Sequence, residues 1–304
     1  MILDILKIII NKIGIKSAKR PFGQLIKSYP PVILTGGNFD DPRAHSYFGG
    51  QEVIVTAQTA NAFGFYHFSL NEFSYHPFIV GLKLANRIPH DTKNKDKLQH
   101  SEFSKVLKHY YNVTQNKNFS EYIGVDINRD YADVPPWGLT FPWDSRSPLE
   151  SRKARQRRIQ PNKGKYYGFN RFGGGSQDLI DDEVKRVLNV YQSIKHTGFR
   201  PECGSDHITG TVLLDGTDWR WVVGSGDHRM PVLSFLGIKT VPIRVIRVVR
   251  RDEVNLWPNV VNDVYSQSSA LEVFDRFFEK RLSSVFDQWV DDVDNKILHA
   301  KEVC

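Results

Sequence analysis

The chain has 304 residues, of which 40% are hydrophobic and 12% aromatic, so it can bury one large core or two smaller ones and is not a disordered chain. Its formal net charge of +7 favours an anionic partner: a nucleotide, a nucleic acid, a phosphorylated substrate or a membrane surface. The only two cysteines, Cys203 and Cys304, exclude a disulfide framework and favour a reducing, cytoplasmic location.

Residues 1–20 are predicted to form an amphipathic helix, with apolar side chains at helical spacing and basic residues near the end. The segment is too short and too charged to span a bilayer, and it lacks the features of a secretory signal. Two interpretations stay open. The helix packs on its own domain, or it lies at the inner membrane face as a peripheral contact.

Residues 21–120 are predicted to form an N-terminal α+β region. Residues 51–59 have the alternation of a strand, and residues 101–111 have the spacing of a helix with one apolar side. Aromatic residues are dense in 61–82, and two histidines, His67 and His76, occur among them without ligand spacing, which predicts that both are buried. An acceptor-binding role is one interpretation of this aromatic region.

Residues 121–250 are predicted to form a second unit. A proline- and tryptophan-rich stretch, 133–144, indicates irregular backbone, and residues 152–165 carry seven positive charges without an acid. We predict a solvated basic loop or helix at 152–165; contact with an anionic polymer or a sugar phosphate is the alternative. A helix with 3.6-residue periodicity follows and ends before Gly198.

The most informative stretch comes next. Residues 209–223 alternate as a hairpin with Asp215-Gly216 at its turn, a polar box follows at 224–229, and residues 241–249 form another strand. A short helix ending at Gly237 joins the box to that strand. Residues 251–304 are predicted to be helical, with a capping box formed by Ser269 and Glu272 and a second amphipathic run at 282–298.

The polar box is predicted to hold phosphate. Its glycines let an anion approach the backbone, and a helix begins directly after it. The candidate phosphate-binding residues are Gly224, Ser225, Gly226, His228 and Arg229. Arg229 can grip phosphate oxygens bidentately, His228 can act as an acid, and Asp227 can hold Mg²⁺ or accept a hydroxyl proton. The alternative is a glycine-rich turn with exposed charges.

The order of these elements, with Ser193-Ile194-Lys195 before Gly198, the Gly226-Asp227-His228-Arg229 box and the Leu236-Gly237 helix end, resembles the ParB/sulfiredoxin-like superfamily over residues 176–250. The resemblance implies an α+β fold, a mixed sheet with packed helices. Asp227 stands where sulfiredoxins have a cysteine, and Pro231 departs from the CTPase box of the partition proteins. The box is most similar to that of the free-serine kinases.

The kinase resemblance implies ATP or ADP with Mg²⁺, the metal on Asp227, and Glu183 as the base that deprotonates a substrate hydroxyl. Asp227 and His228 complete the catalytic candidates, and Arg171, Asp206 and His207 are the candidates for binding substrate. For the acids at 181–183, favourable charge in the first turn of a helix is the alternative interpretation. A structural role is the alternative for Asp206 and His207.

We therefore expect a nucleotide-dependent phosphotransferase that acts on a hydroxyl of a small molecule or glycan, for example in polysaccharide biosynthesis. A ParB-like nucleic-acid-binding protein or nuclease is the second hypothesis, although the sequence offers no evident recognition helix. A non-catalytic nucleotide sensor is the third.

Overall fold

The computed structural model describes residues 32–34, 41–48, 51–65, 67–71, 73–89, 91–115, 117–159, 171–172, 176–200 and 207–297. The helix predicted for residues 1–20, the candidate residue Asp206 and the end of the basic segment, 160–165, lie outside the described residues. Within the described ranges, no helix combines the length and apolar character needed to cross a bilayer.

The described strands form one mixed sheet of seven strands. In chain order they are β1 (Val32–Leu34), β2 (Val53–Gln58), β3 (Ala62–Gly64), β4 (Phe68–Ser69), β5 (Ile208–Asp215), β6 (Asp218–Ser225) and β7 (Thr240–Arg250). Across the sheet the order is β1-β2-β7-β5-β6-β3-β4. β5 and β6 form the predicted antiparallel hairpin, and β7 lies parallel to β5 on its other side.

The sheet unites the two regions that the sequence separates at residue 120. β2 pairs antiparallel with β7, and β3 pairs parallel with β6. Strands from residues 53–64 therefore lie on both sides of the unit built from residues 208–250. The mixed sheet with packed helices confirms the α+β class.

The helices cover the sheet and extend beyond it. They are α1 (Pro77–Ala85), α2 (Lys95–Thr114), α3 (Phe119–Ile123), α4 (Pro148–Ile159), α5 (Gln177–Thr197), α6 (Arg229–Phe235), α7 (Pro258–Val261), α8 (Gln267–Glu279) and α9 (Asp287–Asp292). Short 3₁₀ turns join several of them, and a π-helical turn, Val293–Ile297, follows α9. The side chain of Ser176 caps α5, and Gly198 ends it with a φ of 74°, as the sequence predicts.

Of the two forms predicted for the basic segment 152–165, its first part is helical, because α4 runs to Ile159 and starts at a capping box in which Ser147 and Glu150 exchange hydrogen bonds. One local prediction is wrong. The capping box proposed for Ser269 and Glu272 is not the start of α8. Ser266 caps that helix instead, since its hydroxyl accepts a hydrogen bond from the backbone N–H of Ser269 at 3.0 Å.

Apolar side chains cover both faces of the sheet. One face packs Trp221, Val223 and Ile243 against Met230 and Leu233 of α6. The other face joins a large aromatic cluster that reaches α2, α8 and α9. Of the two histidines of the aromatic region, His76 is buried in this interior, as the sequence predicts, whereas His67 is half-buried. These layers hold α1, α5 and α6 beside the end of β6, where the polar box begins.

Candidate active site

The glycines of the polar box have different structural causes. Gly226 has a φ of 102°, in the left-handed region that favours glycine. Gly224 does not have a positive φ. A Cβ at Gly224 would instead lie 2.7 Å from Ile246 Cδ1 and 2.9 Å from Thr209 Oγ1, so close packing within the sheet excludes a side chain there. Gly224 is therefore explained by packing, and only Gly226 by the backbone turn.

The hydroxyl of Ser225 is engaged inside the hairpin. It accepts a hydrogen bond from Thr209 Oγ1 at 3.1 Å and donates one to the backbone oxygen of His207 at 3.3 Å. The Nδ1 atom of His207 is buried and meets no partner among the described residues. The structure thus brings Ser225 and His207 together beside the polar box.

The helix after the box offers less to an anion than the sequence suggests. α6 has only seven residues, and the N–H of Met230 already donates to the backbone oxygen of Gly226 at 2.9 Å. The next residue, Pro231, has no N–H. Binding of phosphate at this turn must therefore depend mainly on side chains.

Glu183 and His228 form a hydrogen-bonded pair. Glu183 lies on the buried face of α5, its side chain is only 3% exposed, and its Oε2 is 2.8 Å from Nε2 of His228. An ionised carboxylate only accepts hydrogen bonds, so the proton of this bond belongs on Nε2 of His228, and Nδ1 carries a lone pair whenever the ring is neutral. The His228 side chain is 24% exposed, and Phe78 stacks against its ring with centroids 5.6 Å apart.

A second pair lies next to the first. The guanidinium of Arg171 makes an ion pair with Oδ2 of Asp227, and both side chains are mostly buried, with 13% and 19% exposed. The hydroxyl of Tyr110 donates to the backbone oxygen of Arg171 at 3.2 Å and helps to fix that residue. The other carboxylate oxygen of Asp227 is buried and has no hydrogen-bond partner among the described residues.

His76 fixes the start of the helix that carries Phe78. Burial, together with the nearby charges of Arg171 and His228, lowers the pKa of His76 to about 3, so the ring is neutral. Its Nδ1 accepts a hydrogen bond from the N–H of Phe78 at 3.2 Å and thereby caps α1. The sequence predicts the burial of His76 but carries no signal for the position of Phe78 against His228.

The described residues bring together all three predicted catalytic residues. Glu183, Asp227 and His228 converge with Arg171, which the sequence assigned to substrate binding. Arg229 is only partly exposed at the start of α6. Within the described ranges, no group of three or more histidine, cysteine, aspartate or glutamate side chains could hold a metal ion.

Comparison with family models, with curated proteins and with solved structures finds no match to this chain.

Proposed function

We propose that the chain is a nucleotide-dependent phosphotransferase, kinase-like, that acts on a hydroxyl group of a small molecule or glycan. The observation that carries this proposal is the buried carboxylate of Glu183 on Nε2 of the partly exposed His228, beside the Arg171–Asp227 ion pair. The arrangement places an oriented base next to a cation and an acid, which are the groups that phosphoryl transfer requires.

A ParB/sulfiredoxin-like core is part of the proposal. The element order α5, β5, β6, α6 and β7 supports it, with a hairpin that leads into the polar box and a strand that returns beside β5. The proposal includes a cytoplasmic location. ATP or ADP is the expected nucleotide, and a reducing compartment suits the low cysteine content.

The structure favours roles for Glu183 and His228 that differ from those in the sequence-based hypothesis. In that hypothesis Glu183 is the base, but its carboxylate is enclosed, with Oε2 on His228 and Oε1 3.6 Å from the guanidinium of Arg186. We therefore assign proton abstraction from the acceptor hydroxyl to Nδ1 of His228. Glu183 holds the ring in the required tautomer and stabilises the imidazolium that forms. General-base catalysis of this kind contributes about 10²–10⁴-fold to a rate.

The phosphate groups are assigned to the arginines. The guanidinium of Arg171 offers a planar set of donors, and Arg229 begins α6 directly after His228. The backbone of Gly224, Ser225 and Gly226 lines the approach to the same turn. Because Asp227 pairs with Arg171, an incoming phosphate would share that guanidinium with the carboxylate.

The residues fit Mg²⁺ only as an ion that the nucleotide brings. Asp227 has one carboxylate oxygen without a partner in the described chain, and Mg²⁺ bound to phosphates commonly keeps only one or two protein carboxylates. When bound there, the ion would neutralise phosphate charge. The protein residues bind, orient and accept the proton.

Measurement of nucleotide binding and turnover tests the proposal. We expect the purified chain to bind ATP, ADP or CTP with Mg²⁺ by calorimetry, and to release or transfer phosphate in a ³¹P NMR assay. Glu183→Gln and His228→Asn should lower turnover by about 10²-fold or more while the nucleotide still binds. Arg171→Lys keeps the charge but loses the bidentate donor set, so it should weaken nucleotide binding.

Asp178→Asn is the matched control, because Asp178 is an exposed acid in the first turn of the same helix. Only Asp178 lies in the first turn of α5, so Glu183 is beyond the reach of the helix dipole. If Asp178→Asn lowers turnover as much as Glu183→Gln, the role of Glu183 in orienting His228 is wrong. Absence of nucleotide binding excludes the phosphotransferase. Binding without turnover in the wild-type protein indicates the nucleotide sensor instead.

One observation favours the alternative of nucleic-acid binding. Arg152 and Lys153 are exposed on α4, although Arg155 is committed to the backbone oxygens of Trp137 and Leu139. Under this hypothesis, affinity for DNA or RNA should fall steeply with salt concentration, and Arg152→Ala should reduce that slope. Salt-independent or undetectable binding would remove this alternative.

A further inference from the structure

A cleft of about 700 Å³ lies between the edge strand β4 and the C-terminal helices α8 and α9. Its volume falls in the range of small-molecule binding sites. None of its lining residues belongs to the site around Glu183 and His228. The lining instead combines aromatic rings, carboxylates and cations that the proposed phosphotransferase does not use.

Two carboxylates occupy one wall of the cleft. Asp287 and Asp291 are four residues apart on α9 and therefore project from the same face of the helix, about 5–6 Å apart at Cβ. Both residues are exposed, and within the described chain neither carboxylate makes an ion pair or accepts a side-chain hydrogen bond. An ionised carboxylate needs donors, and adjacent hydroxyl groups of a ligand would supply them.

Aromatic rings line the same cleft. Phe73 is 79% exposed, which is unusual for so large an apolar side chain. Tyr75 is held in place because its hydroxyl donates to Oδ2 of Asp294 at 2.9 Å and its backbone oxygen accepts a hydrogen bond from Trp289 at 2.8 Å. A sugar ring has an apolar face of C–H groups and an edge of hydroxyls, and this pairing of rings with acceptors matches both.

The charge balance of the cleft argues against an anionic ligand. Asp287 and Asp291 oppose Lys280 and Arg281, and the guanidinium of Arg281 already pairs with Glu279 at 2.8 Å. The lining thus provides no excess of positive charge for a phosphate group. Acceptors on one side and donors on the other suit a neutral molecule with many hydroxyl groups.

We propose that this cleft binds a short neutral oligosaccharide. Asp287 and Asp291 accept hydrogen bonds from its hydroxyl groups, Lys280 donates to them at the rim, and Phe73 stacks on a sugar face. The site is separate from the groups that would transfer phosphate. The proposal does not depend on that function, because the saccharide would bind without nucleotide.

The test is calorimetric titration of the full chain with maltotriose, cellotriose and chitotriose in the absence of nucleotide. At least one trisaccharide should bind with a Kd on the order of 1 mM or tighter. Phe73→Ala and Asp287→Asn should each weaken this binding by about tenfold or more. Their matched controls, Leu256→Ala and Asp252→Asn, remove an exposed apolar side chain and an exposed carboxylate outside the cleft and should leave binding unchanged.

Three results would overturn the proposal: no trisaccharide binds, binding persists in both cleft variants, or the control variants weaken it equally. Titration with glutamine separates a zwitterionic ligand, since binding of glutamine without binding of any trisaccharide assigns the cleft to that class instead. Phe73 and Asp287 are exposed, so circular dichroism should show unchanged folding of both variants.

Discussion

Gly81 offers the sharpest test of the packing that supports the site. It lies on α1, the helix that carries Phe78, and faces Phe103 of α2. A Cβ at this position would be 2.1 Å from Phe103 Cδ2 and 2.2 Å from Cε2. Carbon atoms in contact prefer about 3.5–4.0 Å, so the fully buried ring would have to move by roughly 1.5 Å.

The expected cost follows from two opposing effects. Overpacking of a core costs about 1–3 kcal/mol, and so close an approach belongs at the upper end. Alanine regains about 1 kcal/mol over glycine within a helix. Gly81→Ala should therefore lower the free energy of unfolding by about 2 kcal/mol. Phe103→Ala alone should lower it by about 3–5 kcal/mol, because it leaves a cavity.

The double variant isolates the contact. In Gly81→Ala with Phe103→Ala, the new methyl group occupies space that the ring has left, so the loss should be smaller than the sum by about 1 kcal/mol or more. Urea unfolding of the four proteins, followed by circular dichroism, gives these energies. A neutral or stabilising Gly81→Ala, or energies that add within about 0.5 kcal/mol, would refute the contact between α1 and α2.

Burial lowers the pKa of His67 and of His76 to about 3 from an ordinary value of 6.5. At pH values between about 3 and 6.5, the unfolded chain therefore binds more protons than the folded chain. The free energy of unfolding should fall below about pH 6.5 by roughly 1.4 kcal/mol per pH unit for each histidine, and His67→Gln should show a shallower fall in urea unfolding between pH 7 and 5.5. Asn259→Asp should cost about 3 kcal/mol or more in the same assay, because the amide donates to three backbone oxygens between residues 141 and 146. Asp227→Asn should lower the thermal midpoint, since it leaves the guanidinium of Arg171 largely buried without its carboxylate; an unchanged midpoint would contradict the ion pair.

The elements around the polar box could be predicted because their signals are local. Gly198 and Gly237 end their helices with positive φ, and Asp215-Gly216 turns the hairpin. The start of α4 had a local signal as well, the capping box of Ser147 and Glu150, whereas the charge density of residues 152–165 was compatible with either a loop or a helix. At the start of α8, Ser266 and Ser269 are both serines that could cap the helix, and the earlier one, Ser266, does so.

The arrangement of the sheet could not be predicted in this way. The pairing of β2 with β7 and of β3 with β6 joins segments far apart in the chain, and strand periodicity carries no information about partners. The same holds for the site. Glu183 came from the resemblance alone, and the stacking of Phe78 on His228 depends on the placement of α1 by α2.

The position of β7 between β2 and β5 also has a consequence for folding during translation. Val53 of β2 pairs with Val245 of β7, so β2 leaves the ribosome long before β7 is synthesised. At usual translation speeds the delay is roughly 10–40 s. During that interval an apolar strand has an open edge that can pair with other chains. Nascent copies should therefore depend on chaperones until about residue 250 has left the exit tunnel.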